Sequence, residues 1–261
     1  MSSEQLDKKP EEQEIEDIDL LDPNNLLMKK FRELAPGTHK HTQSAEGMGE
    51  NVCAYIDWKP SKKDMSPDTM KLAFLYHDIG KMWFPSLYSE NQKEDNVHDG
   101  IDPWVSYQLI TRHVSDTVAI MIAYNFPREV IKIASQHHGT CVVKGMIDKL
   151  IRTGADADPD DFRYKTERPD CIESLILMMC DQVEASSRSV YLDQKKNVSP
   201  DDLVGSVFKK LHADGQFDNV ETKLGKLKKI QEALISDVDS WVQKRPKHDD
   251  NDELKEVEES E

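Results

Sequence analysis

No stretch of this 261-residue chain stays apolar for the ~20 residues that a bilayer-crossing helix requires. Its start carries no basic segment followed by an apolar one, so no secretory leader is expected. Cysteine is scarce: Cys53, Cys141, Cys171 and Cys180 stand far apart with no CxxC pair. That excludes a disulfide framework or zinc ribbon and predicts free thiols in a reducing cytoplasm, serving as small core hydrophobes. Strand-like alternation is missing over any useful length, and no internal repeat is visible. Basic residues are outnumbered, 34 against 50 acids, for a net charge of −16. Such a balance argues against stable nucleic-acid binding, which depends on neutralising phosphates. A small anionic substrate stays open, because metal ions supply positive charge locally. The acidic run Asp156–Asp161 lacks the glycine and spacing of a calcium loop.

The acid is concentrated at the ends. Residues 1–22 carry a net −7 and residues 245–261 a net −5, leaving about −4 for everything between. Segments 1–22 and 244–261 are therefore expected to be acidic disordered tails flanking one domain, 23–243.

Helical spacing dominates that domain. Leu27, Phe31 and Leu34 mark a first helix, stopped by Pro36-Gly37, and Thr38 reads as the N-cap of a second reaching about Ile56. Pro67-Asp68 opens a third that carries Leu72, Ala73 and Tyr76 towards His77-Asp78. Residues 82–102 read as irregular. Pro103 begins a helix ending near His113, with a separate one over 115–126 and another over 128–138, closed by Gly139. Residues 152–170 read as loop. An apolar helix follows over 171–190, then one capped by Ser199-Pro200-Asp201, and a last one carrying Leu227, Ile230, Leu234, Val238 and Trp241. The fold class is all-α, one domain.

Six of the nine histidines fall on these helices: His39, His41, His77, His113, His137 and His138. Neighbouring helical residues point about 100° apart, so His77 and Asp78 both address a site lying between them. Imidazole and carboxylate are natural ligands for iron, manganese or zinc. Asp181 lies in an apolar stripe, Leu175–Asp181. An ionised carboxylate there needs a cation or several hydrogen bonds, which a metal or an arginine would supply. If Asp78 bridges, five histidines and two aspartates divide evenly. One metal takes His41, His77, Asp78 and Asp181; the other takes Asp78, His113, His137 and His138. Two such ions activate a water and clamp a phosphoryl group.

In this order the residues resemble the HD phosphohydrolase superfamily in its binuclear form. More closely, they resemble the cytoplasmic HD domain of the seven-transmembrane HD receptors, the PgpH-type cyclic di-AMP phosphodiesterases. The matching pieces are Ala35–Thr38 with His41, Tyr76–Lys81, Glu90–Gln92, Asn96, His98-Asp99, His113-Val114 and Gln136–Thr140. Phe162–Tyr164, Asp181, Val183–Ala185, Ser187–Ser189 and Asp214–Gln216 complete them. The resemblance spans about residues 24–240. It implies a single HD-domain helical bundle, the seven ligands named above, and two divalent ions, manganese or iron first and zinc as a third candidate. It also implies hydrolysis of a cyclic dinucleotide, cyclic di-AMP foremost, to a linear dinucleotide by a metal-bridging hydroxide. Asp78 and Lys81 would be catalytic. Lys81 and Arg188 would be phosphate contacts, unless they are surface cations or structural pairs. Only an acidic segment of about twenty residues precedes the domain, so no membrane anchoring is expected. The competing expectations are an HD phosphohydrolase acting on another nucleotide, a di-iron HD oxygenase, and a binding module without turnover.

Overall fold

A computed structural model of the chain describes residues 18–92, 96–154, 156, 158–194 and 196–244. The expected acidic tails therefore lie mostly outside the described residues. Residues 18–22 do not read as a separate tail. Leu20 and Leu21 pack on the core, and Tyr76 donates its hydroxyl to the Leu20 carbonyl at 2.9 Å.

The described residues form nine α-helices joined by loops, short 3₁₀ turns and one π-helical turn (Ser189–Asp193), with no sheet. They are α1 (Leu26–Leu34), α2 (Pro36–Tyr55), α3 (Pro67–Tyr76), α4 (Pro103–Ala123), α5 (Arg128–Ser135), α6 (Lys144–Arg152), α7 (Ile172–Arg188), α8 (Pro200–Ala213) and α9 (Leu224–Gln243). None is long and apolar enough to cross a membrane. The central packing is α2 against α7, α3 and α9, with α5 bridging α3, α4 and α7. The middle of α7, Leu175 to Cys180, is almost wholly buried, which accounts for a helix that is apolar on every face. A smaller cluster of Tyr107, Ile147 and Phe162 fastens α6 to α4, with Trp104 stacked on Phe162 at 4.3 Å.

Start signals account for several helix origins. Asn25, Asp102 and Ser199 accept hydrogen bonds from the first turns of α1, α4 and α8, and Ser66 with Thr69 makes a capping box for α3. Proline occupies the first helical position of α2, α3, α4 and α8.

Three features differ from the sequence reading. The second helix begins at Pro36, not behind a Thr38 cap. The free N–H groups of Gly37 and Thr38 are satisfied from outside the helix, by Asn91 Oδ1 at 2.9 and 3.2 Å. Gly37 is required there, since a Cβ would lie 1.9 Å from the Glu90 carbonyl oxygen. The expected break after His113 is absent. No glycine or proline interrupts residues 104–123, so α4 runs through and His113 sits in its interior. Helix α6 was not anticipated. Its apolar face is narrow, and only Ile147 is buried.

Candidate metal centre

The seven candidate ligands come from five segments that share little local sequence. His41 projects from α2. His77 and Asp78 stand where α3 ends, His113 lies within α4, and Asp181 lies within α7. His137 and His138 occupy the turn after α5, two residues past the helix end at Ser135. Gly139 completes that turn with φ +50°. A Cβ there would sit 2.3 Å from Gln216 Oε1, so glycine is needed twice over.

The structure brings all seven into contact as two adjoining sets, His41, His77, Asp78, Asp181 and Asp78, His113, His137, His138, with ligand atoms inside each set within 4.8 Å of one another. Asp78 belongs to both and divides its oxygens between them. Its Oδ2 lies 3.7 Å from His41 Nε2 and 3.6 Å from His77 Nε2. Its Oδ1 lies 3.3 Å from His113 Nε2 and 3.5 Å from His137 Nε2. Asp181 closes the first set, with Oδ1 3.0 Å from His41 Nε2 and 3.6 Å from His77 Nε2. Its Oδ2 is 3.7 Å from His138 Nδ1.

Three imidazoles are oriented by one device. Nδ1 of His77, His113 and His137 each donates to the carbonyl three residues back, on Phe74, Ile110 and Ala134, at 2.8, 2.7 and 2.6 Å. That fixes the proton on Nδ1 and leaves Nε2 as a bare lone pair facing the centre. His41 is oriented instead by Glu184, whose carboxylate accepts from Nδ1.

The residues fit a metal pair on three counts. First, Nε2 of His113 and of His137 face each other at 3.4 Å, and with both protons on Nδ1 two lone pairs would oppose without a cation between them. Second, His77 Nε2, His138 Nδ1 and Asp78 Oδ1 are buried without a hydrogen bond. Third, the donors are imidazole and carboxylate throughout, the set that suits iron, manganese and zinc.

The electrostatics agree. Burial disfavours the ionised form of Asp78, yet Lys81 and His77 hold its carboxyl well below the usual range. Burial likewise works against Asp181, and the facing imidazoles, His41 first and then His77, override it and hold its carboxyl well below the usual range. Burial alone would depress His41, but Asp181 and Glu184 raise it to about 10, so this corner draws positive charge. His113 is pushed down to about 3 by burial, and His138 well down by burial and His137.

Lys81 and Arg188 are placed differently. Lys81 Nζ lies 2.7 Å from Asp78 Oδ2 and 3.0 Å from Glu90 Oε1, almost enclosed. Arg188 lines an open groove of about 780 Å³ that includes His41. Sequence reasoning gave no role to Glu184, Glu90 or Gln216. Glu90 joins Lys81 to Thr38, whose hydroxyl donates to Oε1 at 3.0 Å. Buried Gln216 accepts from Thr140 N at 3.1 Å and donates to Thr140 Oγ1 at 3.0 Å, fastening the His137–Thr140 turn to the segment after α8. One signal for Glu184 was available: it lies three residues after Asp181, on the same face of the helix.

An all-helical body that gathers histidine and aspartate from five segments into paired ligand sets defines a helical metalloprotein class. A family model described as HD domain matches residues 38–186, more than half of the chain, and the chain belongs to that family. It is 30% identical over 235 residues to the cyclic-di-AMP phosphodiesterase PgpH of Listeria monocytogenes, covering 90% of this chain and 32% of that protein. It is 29% identical over 220 residues to PgpH of Bacillus subtilis, covering 84% and 30%. The chain thus spans about a third of the length of these curated relatives. The crystal structure of the L. monocytogenes PgpH HD domain in complex with cyclic-di-AMP superposes with a TM-score of 0.74 at 28% identity, over 85% of this chain and 99% of that one. Family and relatives together support a metal-dependent phosphohydrolase.

Proposed function

We propose that this chain is a cyclic dinucleotide phosphodiesterase that opens cyclic di-AMP to a linear dinucleotide, working in the cytoplasm with two divalent ions, manganese or iron ahead of zinc. The observation that carries the reading is Asp78, a buried carboxylate that offers one oxygen to each of two adjoining ligand sets. The relatives named for cyclic-di-AMP hydrolysis support the choice of substrate.

His41, His77 and Asp181 would hold one ion with Asp78, and His113, His137 and His138 would hold the other with it. Bound there, the pair supplies Lewis acidity, an activated water and compensation for the charge developing on phosphorus. The chain does the rest. Carbonyls of Phe74, Ile110 and Ala134 keep three imidazoles in the tautomer that presents Nε2. Lys81 keeps Asp78 ionised. Arg188, at the groove beside His41, would meet the non-bridging oxygens of the phosphodiester. Burial of the ligands excludes bulk water, which strengthens every charge interaction within.

The test is anaerobic incubation of the manganese-loaded chain with cyclic di-AMP, cyclic di-GMP and the mixed cyclic dinucleotide, with products resolved by chromatography. A linear dinucleotide from cyclic di-AMP is expected. No turnover of any of them, with metal content confirmed, would sink the phosphodiesterase reading. Oxygen-dependent turnover with a mixed-valent iron signal would replace it with oxygenase chemistry.

A further inference from the structure

The groove beside His41 extends well beyond the metal centre. One wall is a single face of α2, where His41, Ser44, Met48 and Asn51 recur every three or four residues. At 1.5 Å per residue, Asn51 lies ~15 Å along the helix from His41. The opposite wall is one face of α9, made by Asp237, Ser240 and Trp241, with its C-cap Lys244, and Arg188 and Leu192 also line the groove. A nucleotide whose phosphodiester lies against His41 therefore has room to lay its base between α2 and α9.

The chemistry of the far end is specific. Asn51 Nδ2 donates to Asp237 Oδ1 at 2.8 Å, fixing that carboxylate in place. The other oxygen, Asp237 Oδ2, is buried and accepts no hydrogen bond. A buried acceptor without a donor is costly, and a ligand N–H relieves it. One turn on, Trp241 lines the same groove, its ring held against Tyr191 at 5.9 Å. Aromatic side chains in such grooves stack on bases of any kind, so the unpartnered acceptor is what selects among them. Met48 and the half-exposed Leu192 supply apolar surface for the rest of the ring.

We infer that the far end of this groove is a subsite for a purine carrying an exocyclic amine, with Asp237 Oδ2 accepting from the amine and Trp241 stacking on the ring. The inference rests on the proposed phosphodiesterase reading and names the residues that would select the base. Burial raises the Asp237 carboxyl above its ordinary value, and the Asn51 hydrogen bond opposes that rise.

Substitution D237N provides the sharpest test. The new side chain would accept from Asn51 through its oxygen and turn its amide N–H₂ into the groove, so a donor would stand where an acceptor stood. Binding is read on the full chain by tryptophan fluorescence, with AMP, IMP and GMP as probes. AMP carries the amine, IMP a carbonyl oxygen in its place, and GMP an amine at the other edge. The wild type is expected to bind AMP about tenfold more tightly than IMP. D237N should reverse that order, and W241F should remove the quench. A preference for GMP over AMP that D237N abolishes would support the amine-reading subsite and place the amine it reads at the other edge of the purine. An AMP-to-IMP ratio unchanged by D237N, or a full quench retained in W241F, would overturn the subsite. Hydrolysis of bis(p-nitrophenyl) phosphate, which has no base, reads the metal centre separately. If the manganese-loaded wild type cleaves neither it nor any cyclic dinucleotide, the phosphodiesterase reading fails whatever the nucleotide titrations give.

Discussion

Replacing Asp78 by alanine removes the one side chain that both ligand sets share, so it should cost both ions, whereas His113→Ala should cost one. The size of the effect follows from the geometry. Each set supplies four donors, and Asp78 stands within 3.7 Å of four of the imidazole nitrogens. An ion present at a hundred times its dissociation constant stabilises the folded state by about 2.7 kcal/mol, so two contribute about 5 kcal/mol. For a domain of this size each kcal/mol moves the melting temperature by about 2–4 °C. Manganese should therefore raise the wild-type Tm by about 10–20 °C, the His113→Ala Tm by about half of that, and the Asp78→Ala Tm by almost nothing. The variant should still fold, because Lys81 keeps Glu90 at 3.0 Å and is not left as an unpaired buried charge. The assay is scanning calorimetry with and without manganese, beside elemental analysis of the desalted protein and a far-ultraviolet spectrum. Asp78→Ala protein that keeps wild-type metal content and its thermal shift would refute the shared-ligand argument.

Gln216→Ala should destabilise the metal-free chain by about 2–3 kcal/mol in urea, because Thr140 N and Oγ1 lose a buried partner. It should also lower manganese content by loosening the His137–His138 turn. Gly80→Ala should be worse, at about 3 kcal/mol or more by the same assay, since the added Cβ would lie 2.3 Å from the His113 carbonyl oxygen and 2.5 Å from Thr117 N. A normal Tm in that variant would contradict the packing of α4 on the turn after α3. The Lys132–Asp170 pair gives a pH signature. Burial works against the ionised Asp170, but Lys132 holds its carboxyl below the ordinary value. A depressed folded-state value stabilises above the unfolded pKa of about 4 and is lost as pH falls through the folded one. Lys132→Met should therefore cost stability at pH 6 and progressively less as acid protonates Asp170, by no more than about 1 kcal/mol for so exposed a pair.

The helices were legible where proline and a capping side chain coincide, as at Ser66-Pro67, Asp102-Pro103 and Ser199-Pro200, because those signals act within one turn of chain. They were not legible where the cap is distant. Asn91 satisfies the start of α2 from more than fifty residues away, and nothing near Pro36 announces it. The unbroken α4 departs from the break expected near His113, where neither glycine nor proline stops the helix. The seven candidate ligands stood out because imidazoles and carboxylates are costly to bury on apolar helices unless a cation meets them. Glu184 and Glu90 did not, since acids are plentiful in this sequence and only the docking of α2 against α7 and the 3₁₀ turns shows which of them face inward.

The backbone carbonyls that hold His77, His113 and His137 carry a further consequence. Main-chain oxygen is the same whatever side chain stands at positions 74, 110 and 134, so the proton on Nδ1 does not depend on which residue evolution leaves there. At those three positions the site constrains the course of the backbone and not the identity of the side chain. Side chains there are free to change without moving the proton, in a fold that a chain of 28% identity shares.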